Sequence, residues 1–404
     1  MLSVEEARAR ILAALTPTAP ETVALPEAWG RVTAEPVVAR LTQPPADVSA
    51  MDGYAVRAAD AQEGARLRVI GIAPAGHPFA GTVGPGEAVR IFTGGVLPAG
   101  ADSVLLQEDA EAGADGTVLV KETVRPGRWV RRRGLDFAEG EAVIPAGRRL
   151  TARDIGLAAA SNHAWLAVYR APRVGLLATG DEIALPGDPI PPGGIVSSNT
   201  HALAALVRAA GGVPIVLPIV PDDAAAIAAA ARAARGCDLL VTTGGASVGD
   251  HDLVQQALGP EGFALDFWKI AMRPGKPLIF GRLGQTPVLG LPGNPVSALV
   301  CGVMFLLPAL ARLSGLPGEP PRTRRAVAGA ALAANDRRQD FLRARLEEPA
   351  EAGGPPVATP FPVQDSSMLA TLARADALIL RAPHAPALPA GAPVEVIVLG
   401  ELGL

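Results

Sequence analysis

Short, almost continuously apolar runs alternate with longer alanine-rich runs between residues 172 and 313. The runs PRVGLLAT, VPIVLPIV and CDLLVTT are typical of strands buried on both faces of a sheet, whereas HALAALVRAAG and DDAAAIAAAARAAR are typical of helices. This alternation predicts an α/β domain whose mostly parallel sheet is flanked by helices. Such a sheet binds ligands where loops leave the carboxyl ends of its strands, so we expect loops 179–182, 242–252 and 290–297 to share one edge.

Short strands separated by Gly, Pro and Asp turns precede and follow this block. Before it, RLRVIGIA, EAVRIFTGG, DSVLLQE and TVLVKETV predict a small β domain inserted at residues 41–135. After it, the proline-rich stretch GLPGEPPRTRR marks a boundary, and FLRARLEE and VEVIVLG predict a C-terminal β domain. The expected fold class is therefore α/β plus β, in several domains.

Helical spacing also occurs outside the α/β block. The N-terminal stretch MLSVEEARARILAAL mixes acids and arginines at helical spacing. In TARDIGLAAAS, Thr151 can cap a helix and Asp154 follows three residues later, as in a capping box with Asp in place of Glu. We expect these two helices to pack together. The predicted domains are 1–40 with 136–171, 41–135, 172–318 and 319–404.

Composition and charge exclude several classes of function. The chain has 404 residues, a net charge of -4 and a pI near 5.8, so it offers no broad positive surface to nucleic acid. Its N-terminus lacks the basic start and apolar stretch of a secretory signal. The run from Pro295 to Leu310 is shorter than a membrane span and favours a buried helix. Cys237 and Cys301 lie in apolar runs and match no metal or redox spacing, which is typical of buried cysteines in a reducing compartment. Together these features predict a cytoplasmic protein that binds neither nucleic acid nor membrane.

Two strands run directly into loops that suit an anion or a cation. CDLLVTTGG ends in Gly244 and Gly245, whose backbone N–H groups could face a phosphate at the start of the next helix, although such a loop is often only a turn. VGLLATGDEI ends in Asp181 and Glu182. Asp181 is explained equally well as a helix N-cap, and Glu182 could hold a cation.

Positive charge is concentrated in FWKIAMRPGKPLIFG, which carries Lys269, Arg273 and Lys276. A solvated basic turn would have the same composition, but VLGLPGNPVSALV adds Ser297 and a proline at the start of an apolar helix, which is a further anion-receptive terminus. Several acids would lie near the same edge and repel a bare phosphate. They are Glu182, Asp222, Asp223, Asp250 and Asp252. A magnesium ion between the carboxylates and the phosphate would resolve this conflict.

Eight strings occur in an order that resembles the molybdopterin molybdenumtransferase family (MoeA, gephyrin E-domain). They are SAMDGYAVR, RIFTGG, RRRGLDF, TGDEI, SSNT, TTGGASVGDHD, MRPGKP and LPGNPVS. The resemblance spans roughly residues 1–400 and implies that the segments 1–40 and 136–171 form an elongated helical dimerisation domain. It also implies a reaction in which adenylyl-molybdopterin and molybdate react with Mg²⁺ and release AMP, leaving molybdenum on the dithiolene sulfurs.

The resemblance assigns roles residue by residue. Residues implied to be catalytic are Asp52, Thr93, Asp136, Glu182, Asp222, Asp252, Lys269 and Lys276. Residues implied to bind substrate are Gly244, Gly245, Ser247, Gly249, Arg273, Ser297, Arg343 and Ser366. Glu182, Asp222 and Asp252 are the implied metal ligands, and Asp250 is a further candidate. Many relatives have Lys where this chain has Arg273, whose planar fork is not equivalent to a point charge.

Asp52 and Gly53 would be a hairpin turn on propensity alone. The resemblance instead implies that Asp52, Thr93 and Asp136 serve the α/β edge of a partner subunit, so that the active protein is a homodimer. It implies an upstream adenylyltransferase and molybdoenzyme apoproteins as further partners. A molybdopterin adenylyltransferase, a nucleotide pyrophosphatase and a non-enzymatic dimeric scaffold remain alternatives. Some 150 residues ahead of the α/β domain argue against the first.

Overall fold

The computed structural model describes residues 1–244, 253–349 and 354–404. Its α-helices are α1 (Val4–Ala13), α2 (Ala152–Ala160), α3 (Asn199–Ala209), α4 (Ala224–Ala233), α5 (Leu253–Leu258), α6 (Pro295–Cys301), α7 (Leu307–Leu313) and α8 (Leu369–Ala373). Its strands are β1 (Pro20–Ala24), β2 (Val37–Val38), β3 (Val48–Ser49), β4 (Gly53–Val56), β5 (Arg66–Ala73), β6 (Glu87–Ile91), β7 (Ser103–Leu106), β8 (Ala110–Ala112), β9 (Thr117–Val120), β10 (Val130–Arg131), β11 (Ala142–Ile144), β12 (Trp165–Tyr169), β13 (Arg173–Ala178), β14 (Ile183–Ala184), β15 (Ile195–Val196), β16 (Val213–Val216), β17 (Leu239–Thr243), β18 (Phe263–Trp268), β19 (Met272–Arg273), β20 (Ile279–Leu283), β21 (Thr286–Leu291), β22 (Arg324–Ala328), β23 (Gln339–Glu347), β24 (Val357–Pro360), β25 (Ala377–Arg381) and β26 (Pro393–Val398).

The chain divides into two compact units. The larger unit contains residues 1–21, 30–34 and 167–404, and the smaller unit contains residues 22–29 and 35–166. The α/β and C-terminal β parts belong to the larger unit, and the inserted β part belongs to the smaller one. The finer division into four domains stays a prediction.

A six-stranded sheet forms the centre of the larger unit, in the order β16-β13-β17-β21-β20-β18. Strands β16, β13, β17 and β21 are mutually parallel, and β20 is antiparallel to both β21 and β18. Five of the six strands therefore point the same way, which confirms the predicted mostly parallel sheet. Ala178, Thr243 and Leu291 are aligned in register, so the carboxyl ends of β13, β17 and β21 lie at one edge.

Apolar residues on both faces explain why the strand segments are continuously hydrophobic. Leu176 and Val241 pack into the core on one side of the sheet, whereas Leu177 and Leu240 pack into the core on the other side. Each of these four side chains is at most 1% exposed. Helices are needed on both faces to cover them, as in doubly wound α/β domains.

Residues 295–313 form one helix in which a π-helical turn, Gly302–Leu306, joins α6 to α7. By length and composition this helix could cross a membrane, with a mean hydropathy of 2.0, yet 83% of it is buried inside the protein. It packs against α1 and α3 in the principal core. The sequence prediction of a buried helix is therefore confirmed.

The C-terminal part is a second six-stranded sheet, in the order β19-β23-β24-β22-β26-β25. Strand β23 also pairs with β25, which closes β23, β24, β22, β26 and β25 into a ring. Strand β19 leaves the α/β part to pair in parallel with β23. The predicted C-terminal β domain is confirmed, and β19 ties it to the loop that carries the basic residues.

The smaller unit contains a sheet in the order β7-β4-β6-β5-β9-β8. Ala55 and Val56 of β4 face opposite sides of this sheet and join separate cores, as strand alternation requires. Helix α2 begins as predicted, because the Asp154 carboxylate accepts hydrogen bonds from the N–H and the Oγ1 of Thr151, at 2.8 and 2.6 Å. Arg148 Nε also donates to Asp154, at 2.7 Å.

Candidate active site

The loops after β13, β17 and β21 approach one another closely at the carboxyl edge of the central sheet. Gly244 has a φ of +94°, and a Cβ at this position would lie 2.3 Å from the carbonyl oxygen of Thr179. A Cβ on Gly293 would lie 3.6 Å from the Cα of Gly244. Only glycine at position 244 therefore permits this approach of two loops, whereas its predicted approach to a ligand stays a prediction.

Asn199, the first residue of α3, joins two of these loops. Its Nδ2 donates to Thr243 Oγ1 at 2.8 Å and to the Gly293 carbonyl oxygen at 2.7 Å. Asn199 was not among the predicted site residues, although it lies in the string SSNT at a helix start. A side chain that spans two loops cannot be recognised before the strand order is known.

A cavity of about 880 Å³ opens at this edge. Its lining residues are Ala178, Glu182, Ile183, Ile195, Val196, Ser197, Ser198, Asn199, Thr243, Gly244, Pro277, Pro292, Gly293, Asn294, Pro295, Ser367 and Leu369. The lining is mostly apolar, with a few polar groups on the converging loops and at the start of α6. Ligand sites of nucleotide size have this volume and this mixture of surfaces.

Negative charge is concentrated where β13 ends. Partial burial raises the pKa of Asp222 above its ordinary value, and the nearby charges of Glu182 and Asp181 raise it further, while the Thr179 hydroxyl opposes the shift. The backbone N–H of Asp222 donates to Asp181 Oδ1 at 3.2 Å. A Cβ on Gly180 would lie 2.6 Å from Glu182 Oε2, so glycine lets the Glu182 carboxylate fold back over the loop.

These carboxylates provide hard oxygen donors of the kind that Mg²⁺ prefers. Across residues 1–244, 253–349 and 354–404, no group of three or more His, Cys, Asp or Glu side chains stands close enough to hold an ion. Glu182 and Asp222 are close enough for the charge of Glu182 to raise the pKa of Asp222, and Asp252, the third predicted metal ligand, lies outside the described residues.

Lys269 and Lys276 lie on the loop between β18 and β20. Because β18 points the same way as β13, β17 and β21, this loop is at the same edge as the cavity. The N–H of Ile270 donates to the Lys276 carbonyl oxygen at 3.0 Å. Gly275 has a φ of +112°, and a Cβ there would lie 2.4 Å from Cys301 Sγ, so glycine lets the loop pack onto α6.

Arg273 is bound to the C-terminal β part. Its Nε donates to Asp340 Oδ1 at 2.5 Å, and its Nη2 contacts Asp340 Oδ2 and donates to Asn335 Oδ1 at 3.3 Å. The Asp340 carboxylate is 5% exposed, and its hydrogen bonds raise the pKa of Arg273 above the ordinary value. Most of the charge of Arg273 is therefore balanced by Asp340, which the sequence analysis did not foresee.

Arg343 is buried, with 1% of its surface exposed. Its Nη1 donates to the Asp365 carbonyl oxygen at 2.7 Å, and its Nε donates to Gln364 Oε1 at 3.1 Å. Burial lowers the pKa of Arg343, and no carboxylate of the described chain lies within 4.0 Å of its guanidinium. Arg343 therefore holds the loop that begins at Gln364.

That loop also contacts the start of α6. Asn294 Nδ2 donates to Ser366 Oγ at 2.9 Å, and the Val296 N–H donates to the Ser366 carbonyl oxygen at 3.1 Å. Ser297 lies on the first turn of α6 and is 4% exposed. Ser297 and Ser366 thus lie at one helix terminus, and Arg343 is linked to it only through the loop of Gln364 and Asp365. Gln364 and Asn294 are structural contributors that were not predicted.

In the smaller unit, Asp52 and Thr93 are hydrogen-bonded. The N–H and the Oγ1 of Thr93 both donate to Asp52 Oδ1 at 2.8 Å. These bonds lower the pKa of Asp52, with the backbone N–H as the larger cause, and Arg90 lowers it further. Gly53 begins β4 beside Leu105, where a Cβ would lie 1.9 Å from the carbonyl oxygen, so it is not a hairpin-turn glycine. Asp136 is exposed.

Five of the predicted site residues lie outside the described residues. They are Gly245, Ser247, Gly249, Asp250 and Asp252. Their roles stay predictions.

Three family models together match most of the chain. Residues 2–161 match the model described as MoeA N-terminal region (domain I and II), residues 175–312 match a probable molybdopterin binding domain, and residues 325–399 match the MoeA C-terminal region (domain IV). The three matches leave only short segments uncovered.

Curated relatives and solved structures give the same result. A protein of Haemophilus influenzae named molybdopterin molybdenumtransferase is 39% identical over 317 residues, which are 78% of each chain. A protein of Mycobacterium tuberculosis named molybdopterin molybdenumtransferase 2 is 39% identical over 361 residues, which are 87% of this chain and 89% of the relative. Two solved structures of MoeA from Pyrococcus horikoshii are also similar. The first is 30% identical, with a TM-score of 0.85 over 98% of this chain and 99% of that chain. The second is 28% identical, with a TM-score of 0.84 over 98% of this chain and 100% of that chain.

Proposed function

The chain belongs to the molybdopterin molybdenumtransferase family and acts in molybdenum cofactor biosynthesis by molybdenum insertion, and we propose that its substrates are molybdate and adenylyl-molybdopterin. In the proposed reaction AMP is released and molybdenum is left on the dithiolene sulfurs. One observation carries this proposal. Acidic, basic and helix-terminal groups from separate segments meet at one edge of the central sheet, beside a cavity of about 880 Å³.

The cavity suits a pterin joined to a nucleotide. Ile183, Ile195 and Leu369 offer apolar surface to flat rings, whereas Asn199 and Asn294 offer polar atoms for orientation. The helix that begins at Pro295 places its positive terminus beside the phosphate region. In this proposal Gly244 lets the loop backbone approach the ligand, and Gly245, Ser247 and Gly249 continue the cradle.

Glu182 and Asp222, with Asp252, would hold the Mg²⁺ that the proposed reaction requires. Their carboxylate chemistry fits the ion, and the raised pKa of Asp222 marks negative charge that a cation would relieve. When bound, Mg²⁺ would neutralise phosphate charge and polarise the bond that releases AMP. The chain itself supplies the carboxylates. The bound ion would shield the phosphate from their negative charge.

Lys269 and Lys276 supply positive charge for an oxyanion, and we assign molybdate to their side of the cleft. A unit cation about 4 Å from a dianion is attracted by on the order of 8 kcal/mol at an effective dielectric near 20, before desolvation is subtracted. Ser297 and Ser366 lie at the same helix start and offer hydroxyls. Arg343 acts by holding the Ser366 loop, and Arg273 acts through the loop that Asp340 anchors.

The remaining assignments concern a second subunit. We propose a cytoplasmic homodimer in which Asp52, Thr93 and Asp136 of one subunit serve the cavity of the other. The hydrogen bonds from Thr93 support this role for Asp52, because they keep the carboxylate charged and fixed in direction. An upstream adenylyltransferase would supply the substrate, and molybdoenzyme apoproteins would receive the product.

The test is AMP release from adenylyl-molybdopterin by the purified protein with Mg²⁺, measured with and without molybdate. We expect AMP and molybdenum-bearing product to appear together, and only with molybdate. Equal AMP release without molybdate would indicate a pyrophosphatase instead. Release of pyrophosphate from ATP and molybdopterin would indicate an adenylyltransferase. No turnover of either kind would favour the scaffold.

A further inference from the structure

Trp268 and Lys269 are adjacent in sequence, yet their side chains are in contact. The Lys269 ammonium lies 3.5 Å from the centroid of the Trp268 ring. Successive side chains of a strand point to opposite faces, so neighbours do not normally meet in this way. Lys269 has a φ of +70°, a left-handed conformation that returns its side chain over the preceding ring. The contact is thus built by a local departure from strand geometry at the end of β18.

Each of the two residues has an unfavourable feature in this arrangement. A lysine in the left-handed region is disfavoured because its Cβ crowds the backbone. The Trp268 Nε1 is buried and has no hydrogen-bond partner among the residues that the structure describes, although a buried indole N–H usually finds one. Each of these two costs is comparable to or larger than the gain from an exposed cation–π contact. The arrangement is therefore not stabilised by that contact alone.

The surrounding ladder holds Trp268 and Lys269 in place. Trp268 pairs with Ile279 across the antiparallel strands β18 and β20, and the Lys269 N–H donates to the Leu278 carbonyl oxygen at 3.2 Å. Beside them, the rings of Phe267 and Phe280 pack with centroids 5.8 Å apart. Strain that is maintained by its surroundings is characteristic of functional sites.

The ring attracts Lys269 without neutralising it. No Asp or Glu carboxylate within the described ranges lies within 4.0 Å of the Lys269 ammonium. A carboxylate partner would balance the charge, as Asp340 balances that of Arg273. An aromatic face orients a cation and leaves its full charge available to an anion. Trp268 therefore orients the Lys269 ammonium without cancelling its charge, which a carboxylate partner could not do.

The distribution of lysines adds independent support. Of the 36 basic residues of the chain, only Lys121, Lys269 and Lys276 are lysines, and the rest are arginines. Two of the three thus occur within eight consecutive residues of the proposed site. A compact ammonium and a planar guanidinium bind oxyanions differently, so the residue type is specific at these positions.

We propose that Trp268 is a positioning residue that holds the charged Lys269 ammonium toward the anionic substrate at the edge of the sheet. The proposal rests on the proposed function for the identity of that anion, and names molybdate as the probe. It assigns to Trp268 no contact with the reacting atoms. Its consequence is that loss of the ring weakens anion binding more than it slows turnover.

The experiment uses the three lysines as reporters. Reductive methylation with ¹³C-formaldehyde keeps their positive charge and gives three lysine methyl signals, which Lys→Arg variants assign. We expect the Lys269 signal to be displaced upfield by the indole ring, and Lys121 to serve as the reference. Addition of molybdate should shift the Lys269 signal and leave Lys121 unchanged. This measurement needs no turnover.

Two substitutions of Trp268 separate the ring from its N–H. Trp268→Leu should abolish the upfield displacement, weaken molybdate binding about fivefold or more and raise the molybdate KM with little change in kcat. Trp268→Phe should largely restore binding, since it keeps a ring. The control Phe267→Leu removes the neighbouring ring, and should lower stability while leaving the Lys269 signal in place.

The outcomes distinguish the two proposals. Unchanged Lys269 displacement and unchanged molybdate affinity in folded Trp268→Leu would overturn the role of Trp268, whatever the wild-type activity. A displaced Lys269 signal that does not respond to molybdate in the wild type would also overturn it. Absence of molybdate-dependent AMP release with an intact molybdate response at Lys269 would instead count against the proposed function.

Discussion

Arg273 and Asp340 form a two-point ion pair that fastens the basic loop to β23 of the C-terminal part. The Asp340 carboxylate is 5% exposed, whereas the Arg273 side chain is 47% exposed. The carboxylate is thus the buried partner, and the guanidinium covers it from the solvent side. Removal of Arg273 would leave an uncompensated buried charge, whereas removal of Asp340 would leave an arginine that water can still reach.

Arg273→Ala should therefore cost more stability than Asp340→Asn. We expect losses of about 3 kcal/mol and about 1–2 kcal/mol respectively in the free energy of unfolding, the second reduced because Arg273 is half exposed. Urea unfolding at pH 7 measures both. The matched control is Glu348→Gln, which breaks an exposed pair with Arg324 and should cost less than about 0.5 kcal/mol. An equal cost for all three variants would contradict the anchoring role.

Thr93→Val should raise the pKa of Asp52 toward the ordinary Asp value, but only in part. The substitution removes the Oγ1 bond and keeps the backbone N–H bond, which is the larger cause of the lowered pKa. Because the folded-state pKa of Asp52 is depressed, its bonds stabilise the fold above the unfolded pKa, and this contribution is lost as the pH falls through the folded pKa. NMR titration of the Asp52 carboxyl measures the shift.

The stability difference between Thr93→Val and the wild type should accordingly narrow at acid pH. Thr117→Val is a matched control, since Thr117 makes the same pair of bonds to Asp115. It should reproduce the titration effect at Asp115 and leave AMP release unchanged. Loss of activity in the Thr117 variant would show that the assay responds to stability alone.

Asp222→Asn should abolish most AMP release and yet stabilise the folded protein at neutral pH. The pKa of Asp222 is raised by partial burial and by Glu182 and Asp181, so the charged carboxylate is unfavourable in the fold. Because the folded-state pKa is raised, stability falls as the pH rises from the unfolded-state pKa through the folded-state pKa, so the gain in the variant should be complete above the folded-state value and vanish below the unfolded-state value. Thermal unfolding at several pH values without Mg²⁺ tests this.

The same carboxylate predicts how Mg²⁺ binding depends on pH. A proton and a cation compete for Asp222, so Mg²⁺ affinity should fall as the pH decreases through its raised pKa. Titration calorimetry measures the affinity, and Glu182→Gln should weaken it at least tenfold while lowering the pKa of Asp222. If Mg²⁺ bound equally to the wild type and to Asp222→Asn, the assigned metal ligand would be wrong.

Gly244→Ala should lower AMP release by about 10²-fold, because a Cβ 2.3 Å from the Thr179 carbonyl oxygen must separate two loops of the cavity. Gly262→Ala provides the control, since Gly262 has a φ of +87° and nothing lies within 4 Å of its added Cβ. Both variants carry the backbone strain, and only the first carries the clash. Equal activities of the two purified variants would refute the role of close loop contact.

The layout of the central sheet could be predicted from sequence because its strands are apolar on both faces. Leu176 and Leu177 face opposite cores, and a run with no polar positions is the pattern that this burial produces. The edge shared by three loops follows from parallel strands alone. The reversed strand β20, with the sequence IFGRL, could not be foreseen, since so short a segment carries no information about strand direction.

The partners of single side chains were the hardest part of the site to predict. Asp340 lies 67 residues from Arg273, and nothing local to either residue indicates that they pair. Asn199 is an amide at a helix start, a position where such residues usually cap their own helix. Its bonds to Thr243 and Gly293 exist because α3 begins at the edge where β17 and β21 end. Such roles depend on topology and not on motif.

The apolar helix at 295–313 has a consequence for synthesis of the chain. A segment of this hydropathy would be prone to aggregation or to capture by lipid if it were left exposed. Helices α1 and α3, which pack against it, and the strands β13 and β17 of the same core precede it in the chain, whereas α8 follows it. A large part of its docking surface has therefore been translated before the helix leaves the ribosome, so the nascent chain already contains apolar partners for its most hydrophobic segment.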